Sequence, residues 1–256
     1  MKPWIGVADY LCAALESSGI LKHETRRHLW IIDAHGPLHD RRNDLSSEQR
    51  IYAQPAELVS TWTSRVSGVI DLSDVIAKVD ISVLIGLSTA PNSFNESIVR
   101  EMSRKIRRPV ILPRSNPTEK SEAKPYDLIC WSGGRAIVAT GSPFAPVQYE
   151  GRNLTIAQCN NTYIFPAVGL GVVASQACRI TDSMMMVAAH ALAGSSPAIV
   201  DPWGPLLPPL AEIRKSSLAI AVAVAEEAQN DGVAPAISND ELLRRVQTNQ
   251  WMPRYD

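Results

Sequence analysis

Cysteine is scarce in this sequence of 256 residues, and its few copies are far apart. There are four cysteines, at positions 12, 130, 159 and 178, and none of them forms a C-x-x-C pair. This spacing favours neither a zinc knuckle nor a disulfide framework. Reduced thiols are typical of the cytosol, so we expect a cytoplasmic protein.

The sequence also lacks an excess of charge of either sign. Its 25 Lys and Arg residues and 26 Asp and Glu residues leave a formal net charge of -1. Such a balance gives no basic face for nucleic acid, which we do not expect as a partner. No run of eighteen clean apolar residues and no apolar stretch behind a basic start is present, so we expect neither a membrane span nor a targeting signal.

A glycine-rich phosphate-binding turn is missing as well. The first 17 residues predict an amphipathic helix, because Ile5, Ala8 and Leu15 share one face at helical spacing. A dinucleotide-binding fold places a strand and a G-x-G-x-x-G turn directly before such a helix, whereas this segment contains Gly6 alone. We therefore expect the first strand and its pyrophosphate loop to be absent from this chain.

The rest of the chain alternates short apolar runs with helical patterns, which predicts an α/β fold with a parallel sheet. Hydrophobic residues make up 45% of the chain, enough to bury a core, and we predict one domain over residues 1–256. Strands are predicted at residues 29–33, 68–72, 81–87, 110–113 and 136–139. Helices are predicted at residues 56–66, 74–79, 95–106, 125–131, 182–192 and 211–230.

Asp33 ends the first of these apolar runs and is the candidate ribose acid. A carboxylate at the end of the second strand of a mononucleotide-binding half accepts from both ribose hydroxyls and repels a 2′-phosphate. The alternative is a turn residue. Arg41, Arg42 and Arg50 stand against a strict preference for NAD, because a guanidinium can pair with a phosphate, although a solvated loop also explains them. NAD is therefore the predicted cofactor, and NADP is the alternative.

Two polar residues follow the strand predicted at residues 81–87. Ligands of open α/β sheets bind at the carboxyl ends of the strands, so Ser88 and Thr89 are candidates for the nicotinamide ribose side of a cofactor. A connecting loop without a ligand is the alternative. Asn116 follows the next strand, before a turn that Pro117 fixes.

Asn160 and Asn161 are neighbouring amides that precede a small, apolar helical stretch. Amide side chains supply both donors and acceptors and can hold a small carboxylated ligand. The alternative is that they cap the helix after them, because Asn accepts hydrogen bonds from the free amides of a helix start.

Three segments resemble, in order and approximate spacing, the C-terminal half of the malic enzymes. They are RSNPT at residues 114–118, GSPF at 141–144 and QCNNTYIFPAVGLGVVAS at 158–175. WIIDAHG near the start, LLPPLAEIR late in the chain and a W-x-P-x-Y-D ending extend the similarity from about Ile5 to the last residue. The resemblance implies a Rossmann-like parallel sheet with helices on both faces, extended by C-terminal helices. It also implies that Asn116 serves malate and the nicotinamide, and that Asn160 and Asn161 serve malate.

The reaction implied by the resemblance is the oxidative decarboxylation of malate to pyruvate and CO2, with reduction of NAD(P). In malic enzymes the proton-transferring Tyr and Lys and the carboxylates that hold Mg or Mn lie upstream of the glycine-rich turn. We therefore expect no catalytic residue and no metal ligand in this chain, and an upstream half and a homo-oligomer as partners. A non-catalytic binding or assembly fragment and a malolactic-type enzyme are the alternatives.

The isolated chain is expected to be poorly soluble as a monomer. A parallel sheet without one of its central strands has an unpaired edge and an uncovered apolar face, which favour pairing with another chain. Size-exclusion chromatography should show association or aggregation. A compact, stable monomer would contradict the expectation.

Overall fold

The structure, a computed structural model, describes residues 3–64 and 69–251. The chain divides into two compact units. The first extends to Ser142 and includes Val147–Gly151, and the second comprises Pro143–Pro146 and the residues from Arg152 onward. The single domain predicted over residues 1–256 stays a prediction.

The first unit is an α/β structure of short elements. Its helices are α1 (Pro3–Ser17), α2 (Lys22–Thr25), α3 (Ser47–Ile51), α4 (Ala56–Val59), α5 (Leu72–Lys78), α6 (Glu96–Lys105) and α7 (Pro125–Trp131). Its strands are β1 (Ile32–Asp33), β2 (Gly36–Pro37), β3 (Val83–Gly86), β4 (Val110–Pro113), β5 (Ile137–Thr140) and β6 (Val147–Tyr149).

Strands β3, β4 and β5 lie side by side and parallel, with β4 between the other two. Val110 stands opposite both Val83 and Ile137, which sets the register. The interior of the sheet includes Ile111, which is fully buried. Helix α6 packs against both α5 and α7. The parallel α/β sheet predicted from the alternating pattern is confirmed, and β4 and α7 have the predicted bounds.

The apolar run at residues 29–33 does not join this parallel sheet, and its prediction as a strand of the sheet is wrong. Only Ile32–Asp33 is extended as β1, and it pairs antiparallel with β2, which comes directly after it. The Leu38 N–H also donates to the Ile31 carbonyl, at 2.9 Å. Gly36, with φ of +101°, allows the chain to turn back so closely. The partners of this run are thus local.

Two further predictions differ from the structure. The first is the strand predicted at residues 68–72, of which Gly68 lies outside the described residues and Val69 and Ile70 are not in a strand. Asp71 is instead the N-cap of α5, where its side chain and that of Asp74 form a capping box. The helix predicted at residues 56–66 ends at Val59, and residues 65 and 66 also lie outside the described part. The W-x-P-x-Y-D ending is described only at its tryptophan.

The second unit is mainly helical. Its elements are β7 (Arg152–Leu154), β8 (Ala157–Gln158), α8 (Phe165–Ser175), α9 (Asp182–Gly194), α10 (Ile213–Asn230) and α11 (Asn239–Asn249). Helix α10 is central, because it packs against α8, α9 and α11. Its fully buried Ile220 and Val224 meet Met184 of α9 in the core. Among the described residues, no helix combines the length and the apolar character required to cross a bilayer.

Helix α8 reaches α10 closely because of a glycine. A Cβ atom on Gly171 would lie 2.7 Å from the carbonyl oxygen of Ala221 and 2.9 Å from the Cβ of Val224. By contrast, a Cβ on Gly169 would meet nothing within 4 Å. Gly171 therefore sets the separation of the two helices, whereas Gly169 is an exposed position of the same helix.

Gly171→Ala should lower the free energy of unfolding by about 1–3 kcal/mol, because the added methyl group forces α8 away from α10. Gly169→Ala is the matched control, and it should be neutral or raise the free energy of unfolding by up to about 1 kcal/mol through better helix propensity. Urea unfolding followed by circular dichroism measures both. Equal effects of the two substitutions would contradict the close packing at Gly171.

Candidate functional site

The loops after β3, β4 and β5 carry a cluster of polar side chains in the first unit. Ser88 and Thr89 follow β3, Ser115 and Asn116 follow β4, and Ser142 follows β5. Parallel strands end at one edge of a sheet, so the three loops meet there. Ser88, Thr89 and Asn116 are exposed, whereas Ser115 and Ser142 are buried. The structure thus brings three of the predicted site residues to one edge.

A buried carboxylate connects the first two loops. Glu122, between β4 and α7, has no exposed surface. Its Oε1 accepts from the Ser88 N–H at 3.0 Å, the Ser88 hydroxyl at 3.2 Å and the Ser115 hydroxyl at 2.5 Å. Its Oε2 accepts from the Ser115 N–H at 3.3 Å. The desolvated carboxylate is therefore satisfied by donors from the ends of two strands.

Thr89 has an unusual backbone conformation. Its φ of +55° lies in the left-handed region, which β-branched residues rarely adopt. Its N–H donates to the Ser115 hydroxyl at 2.9 Å, and its own hydroxyl donates to the Ser88 carbonyl at 2.7 Å. Such a conformation costs on the order of 1–3 kcal/mol and persists where neighbouring contacts fix it. Here the contact to Ser115 contributes to that fixation.

The amide of Asn116 is oriented by the loop after β5. The Ser142 hydroxyl donates to its Oδ1 at 2.5 Å, and the Thr140 hydroxyl holds Ser142 by donating to its carbonyl at 2.8 Å. The Nδ2 group has no hydrogen bond to any described residue. Because Oδ1 is engaged, Asn116 offers a ligand two N–H donors.

Asp33 belongs to a different cluster of the first unit. The Arg42 guanidinium, 8% exposed, donates to both of its carboxylate oxygens, at 2.8 and 3.0 Å, and also to both oxygens of Asp44, at 3.0 and 2.6 Å. The His35 N–H donates to Oδ1 of Asp33 at 2.9 Å, and the Gln49 amide lies 3.5 Å from Oδ2. The side chain of Asp33 is 30% exposed. Asp33 is therefore an ion-paired acid with one long, weak contact.

This arginine lowers the pKa of both acids. Burial raises the pKa of Asp33, but the hydrogen bonds from Arg42 and from the His35 N–H outweigh it, so the pKa lies below its usual range. The hydrogen bonds from Arg42 lower the pKa of Asp44 to about 2. In return, the two carboxylates raise the pKa of Arg42. Arg42 is thus committed to acids of this chain.

The neighbouring amides, in the second unit, differ in their contacts. Oδ1 of Asn160 accepts from the Thr162 N–H at 3.0 Å and from its hydroxyl at 2.8 Å, which caps the 3-10 helix Asn161–Tyr163. This agrees with the capping alternative for Asn160. The side chain of Asn161 is exposed and makes no hydrogen bond to a described residue. Asn161 is therefore free to contact a ligand, whereas the oxygen of Asn160 is engaged.

The sequence pattern did not indicate Glu122, Ser115 or Ser142, whereas it did indicate Ser88. Glu122 lies in a charged stretch that resembles an ordinary solvated loop, and its contact to Ser88 spans 34 positions. One indirect signal was Gly86, at the end of β3. A Cβ there would lie 2.6 Å from Oε2 of Glu122, so the glycine leaves room for the acid. Among the described residues, no group of three His, Cys, Asp or Glu side chains is arranged to hold a metal ion.

A parallel sheet with polar loops at the carboxyl ends of its strands is typical of α/β domains that bind nucleotide cofactors. Comparison with known proteins gives the particular family. Residues 3–229 match the family model for the malic enzyme NAD-binding domain, and the chain therefore belongs to the malic enzyme family. The resemblance inferred from the sequence motifs is confirmed.

Named relatives and solved structures agree with this assignment. The NAD-dependent malic enzymes of Pseudomonas savastanoi pv. phaseolicola and Acinetobacter baylyi are each 43% identical over 250 residues, which cover 98% of this chain and 44% of theirs. The chain therefore spans less than half the length of these relatives. The crystal structure of Entamoeba histolytica malic enzyme has a TM-score of 0.63 and 25% identity, covering 86% of this chain and 41% of that one.

The ion pairs of Arg42 should make stability depend on pH in the acid range. Both acids have lowered pKa values in the folded state, to about 2 for Asp44, so their contribution is present above the unfolded pKa of about 4 and is lost as the pH falls towards 2. Arg42→Gln should flatten this dependence. Urea unfolding at a series of pH values tests it.

The control is Arg41→Gln, which removes the neighbouring, exposed arginine that pairs with Glu57. Its unfolding free energy should follow the wild-type pH dependence, since exposed pairs contribute little. Carboxyl NMR titration measures the pKa of Asp44 in the same proteins. This pKa should return to its ordinary range in Arg42→Gln and stay low in Arg41→Gln. A pKa of Asp44 unchanged by Arg42→Gln would contradict the assignment.

Proposed function

We propose that this chain is the NAD-binding half of an enzyme that oxidises malate and decarboxylates it to pyruvate and CO2. NAD accepts the hydride in this chemistry, and NADP is the alternative cofactor. The observation that carries the proposal is the polar edge of the β3–β5 sheet in a chain of the malic enzyme family. The reaction further requires an upstream half and a divalent Mg or Mn ion, whose ligands we place in that half.

The loops at this edge fit the neutral, hydrogen-bonding side of a nicotinamide nucleotide. Ser88 and Thr89 are exposed, and the Asn116 amide presents N–H donors in an orientation fixed by Ser142. Amides and hydroxyls bind a carboxamide or ribose hydroxyls without adding charge. We assign the nicotinamide ribose side to Ser88, Thr89 and Asn116, and Asn116 also to malate.

Asp33 fits the ribose role in a preorganised form. Arg42 holds its carboxylate from one side, whereas the 3.5 Å contact of Gln49 to Oδ2 is weak enough to be exchanged for a ribose hydroxyl. The N–H donors of Arg42 bind Asp33, Asp44 and the Gly36 carbonyl, so the guanidinium has no N–H left for a 2′-phosphate. The occupied guanidinium supports NAD over NADP.

The remaining assignments concern the substrate and the assembly. No described residue is hydrogen-bonded to the Asn161 amide or to the N–H donors of Asn160, and we assign both residues to the carboxylates of malate. We propose that the whole protein is a homo-oligomer in the cytoplasm. The four cysteines are all free thiols, which supports a reducing compartment.

Calorimetric titration of NAD into the chain tests the proposal. Saturable binding is expected, and Asp33→Asn should weaken it about tenfold, since a charged hydrogen bond to the ribose is lost. Asp44→Asn is the matched control, because it removes the other acid of Arg42 and leaves Asp33 in place. Equal weakening by both variants would mean that Asp33 acts through Arg42. Absence of binding to the folded wild type would contradict the proposed function.

A further inference from the structure

We infer that Glu122 is a positioning residue that sets the hydrogen-bonding direction of the loops after β3 and β4. The inference rests on the proposed function, because these loops carry Ser88, Thr89 and Asn116. Glu122 itself is fully buried, and its carboxylate oxygens accept from Ser88 and Ser115. It acts through these residues, without touching a cofactor.

The direction is set by what each group can donate. A carboxylate only accepts hydrogen bonds, so the Ser88 and Ser115 hydroxyls each donate their single hydrogen to Glu122. Their oxygens are then left as acceptors. The Ser115 oxygen accepts from the Thr89 N–H at 2.9 Å, and the Ser88 oxygen accepts from the Ala90 N–H at 3.3 Å. One carboxylate thereby orients two successive amides of the turn that contains the strained Thr89.

The end of β3 is built around this acid. A Cβ on Gly86 would lie 2.6 Å from Oε2 of Glu122 and 2.8 Å from its Cγ, so the acid occupies the space that a larger residue would need. It cannot move aside without losing its donors. A glutamine would fill the same volume. However, its N–H2 group would replace the acceptor Oε2, so that a donor would lie against the Ser115 N–H.

The consequence reaches the proposed cofactor groups through the backbone. Thr89 follows Ser88 directly, and Asn116 follows Ser115 directly. The four contacts of Ser88 and Ser115 to Glu122 therefore fix the backbone positions from which Thr89 and Asn116 extend. Without the carboxylate, the hydroxyls can rotate and the two loops can move independently. The acid therefore preorganises the site before the cofactor binds.

The test compares Glu122→Gln with wild type by NMR hydrogen exchange and NAD calorimetry on the full chain. We expect the Thr89 amide to exchange at least about tenfold faster, because the glutamine N–H2 group would lie against the Ser115 N–H and displace the Ser115 hydroxyl that accepts from Thr89. The Ala90 amide should change less, because the glutamine carbonyl oxygen can still accept from Ser88. NAD should bind about tenfold more weakly. Ser115→Ala should speed exchange of Thr89 alone, and Ser88→Ala that of Ala90 alone. This division identifies each serine oxygen as the acceptor of one amide. A purely structural role of Glu122 would instead speed exchange across the sheet and not selectively at Thr89.

Glu119→Gln is the matched control, since it removes the same charge from an exposed position nearby, and it should change neither quantity. If Glu122→Gln behaves like this control, the inference is wrong. If Glu122→Gln does not fold, Glu122→Asp decides, because it keeps the charge but withdraws the carboxylate from the two loops. Fast Thr89 exchange with weaker NAD binding then supports the inference, and wild-type values overturn it. A wild type that binds no NAD contradicts the proposed function and the positioning role with it, while the exchange rates still report whether Glu122 orders the loops.

Discussion

The first unit depends on the burial of one carboxylate at the edge of its parallel sheet. A charge removed from water is strongly destabilising unless it is hydrogen-bonded, and Glu122 meets that requirement only if the ends of β3 and β4 converge on it. Gly86 leaves space for the acid, Ser88 and Ser115 supply its donors, and the turn at Thr89 adopts a rare backbone conformation beside it. The polar edge is thus one connected structure.

The ion-paired Asp33 obeys a different principle. Its charge is balanced by Arg42 beside the local β1–β2 hairpin, which is a separate pairing from the parallel sheet. A charge held in this way is fixed in position but still 30% exposed on its side chain, which suits a group that accepts from a hydroxyl.

Much of the fold could be predicted from the sequence, because the spacing of apolar residues and the positions of prolines are local properties of the chain. Pro109 and the apolar run after it located β4, and Pro125 marked the start of α7. The run at residues 29–33 was wrongly predicted as a strand of the parallel sheet, because its apolar pattern does not reveal that the backbone pairs with the next few residues. The candidate site was partly predictable from strand ends, but a contact such as Ser88 to Glu122 joins distant positions and leaves no periodic trace.

We propose that NAD binds along the polar edge of the first unit. Chemical-shift mapping of the backbone amides during an NAD titration would locate the binding surface. NAD binding at this edge should produce saturable shifts concentrated at residues 88–90, 115–116 and 142 and around Asp33, with the amides buried in the middle of α10 unchanged. Shifts confined to other surfaces, or none at saturating NAD in a folded chain, would contradict it.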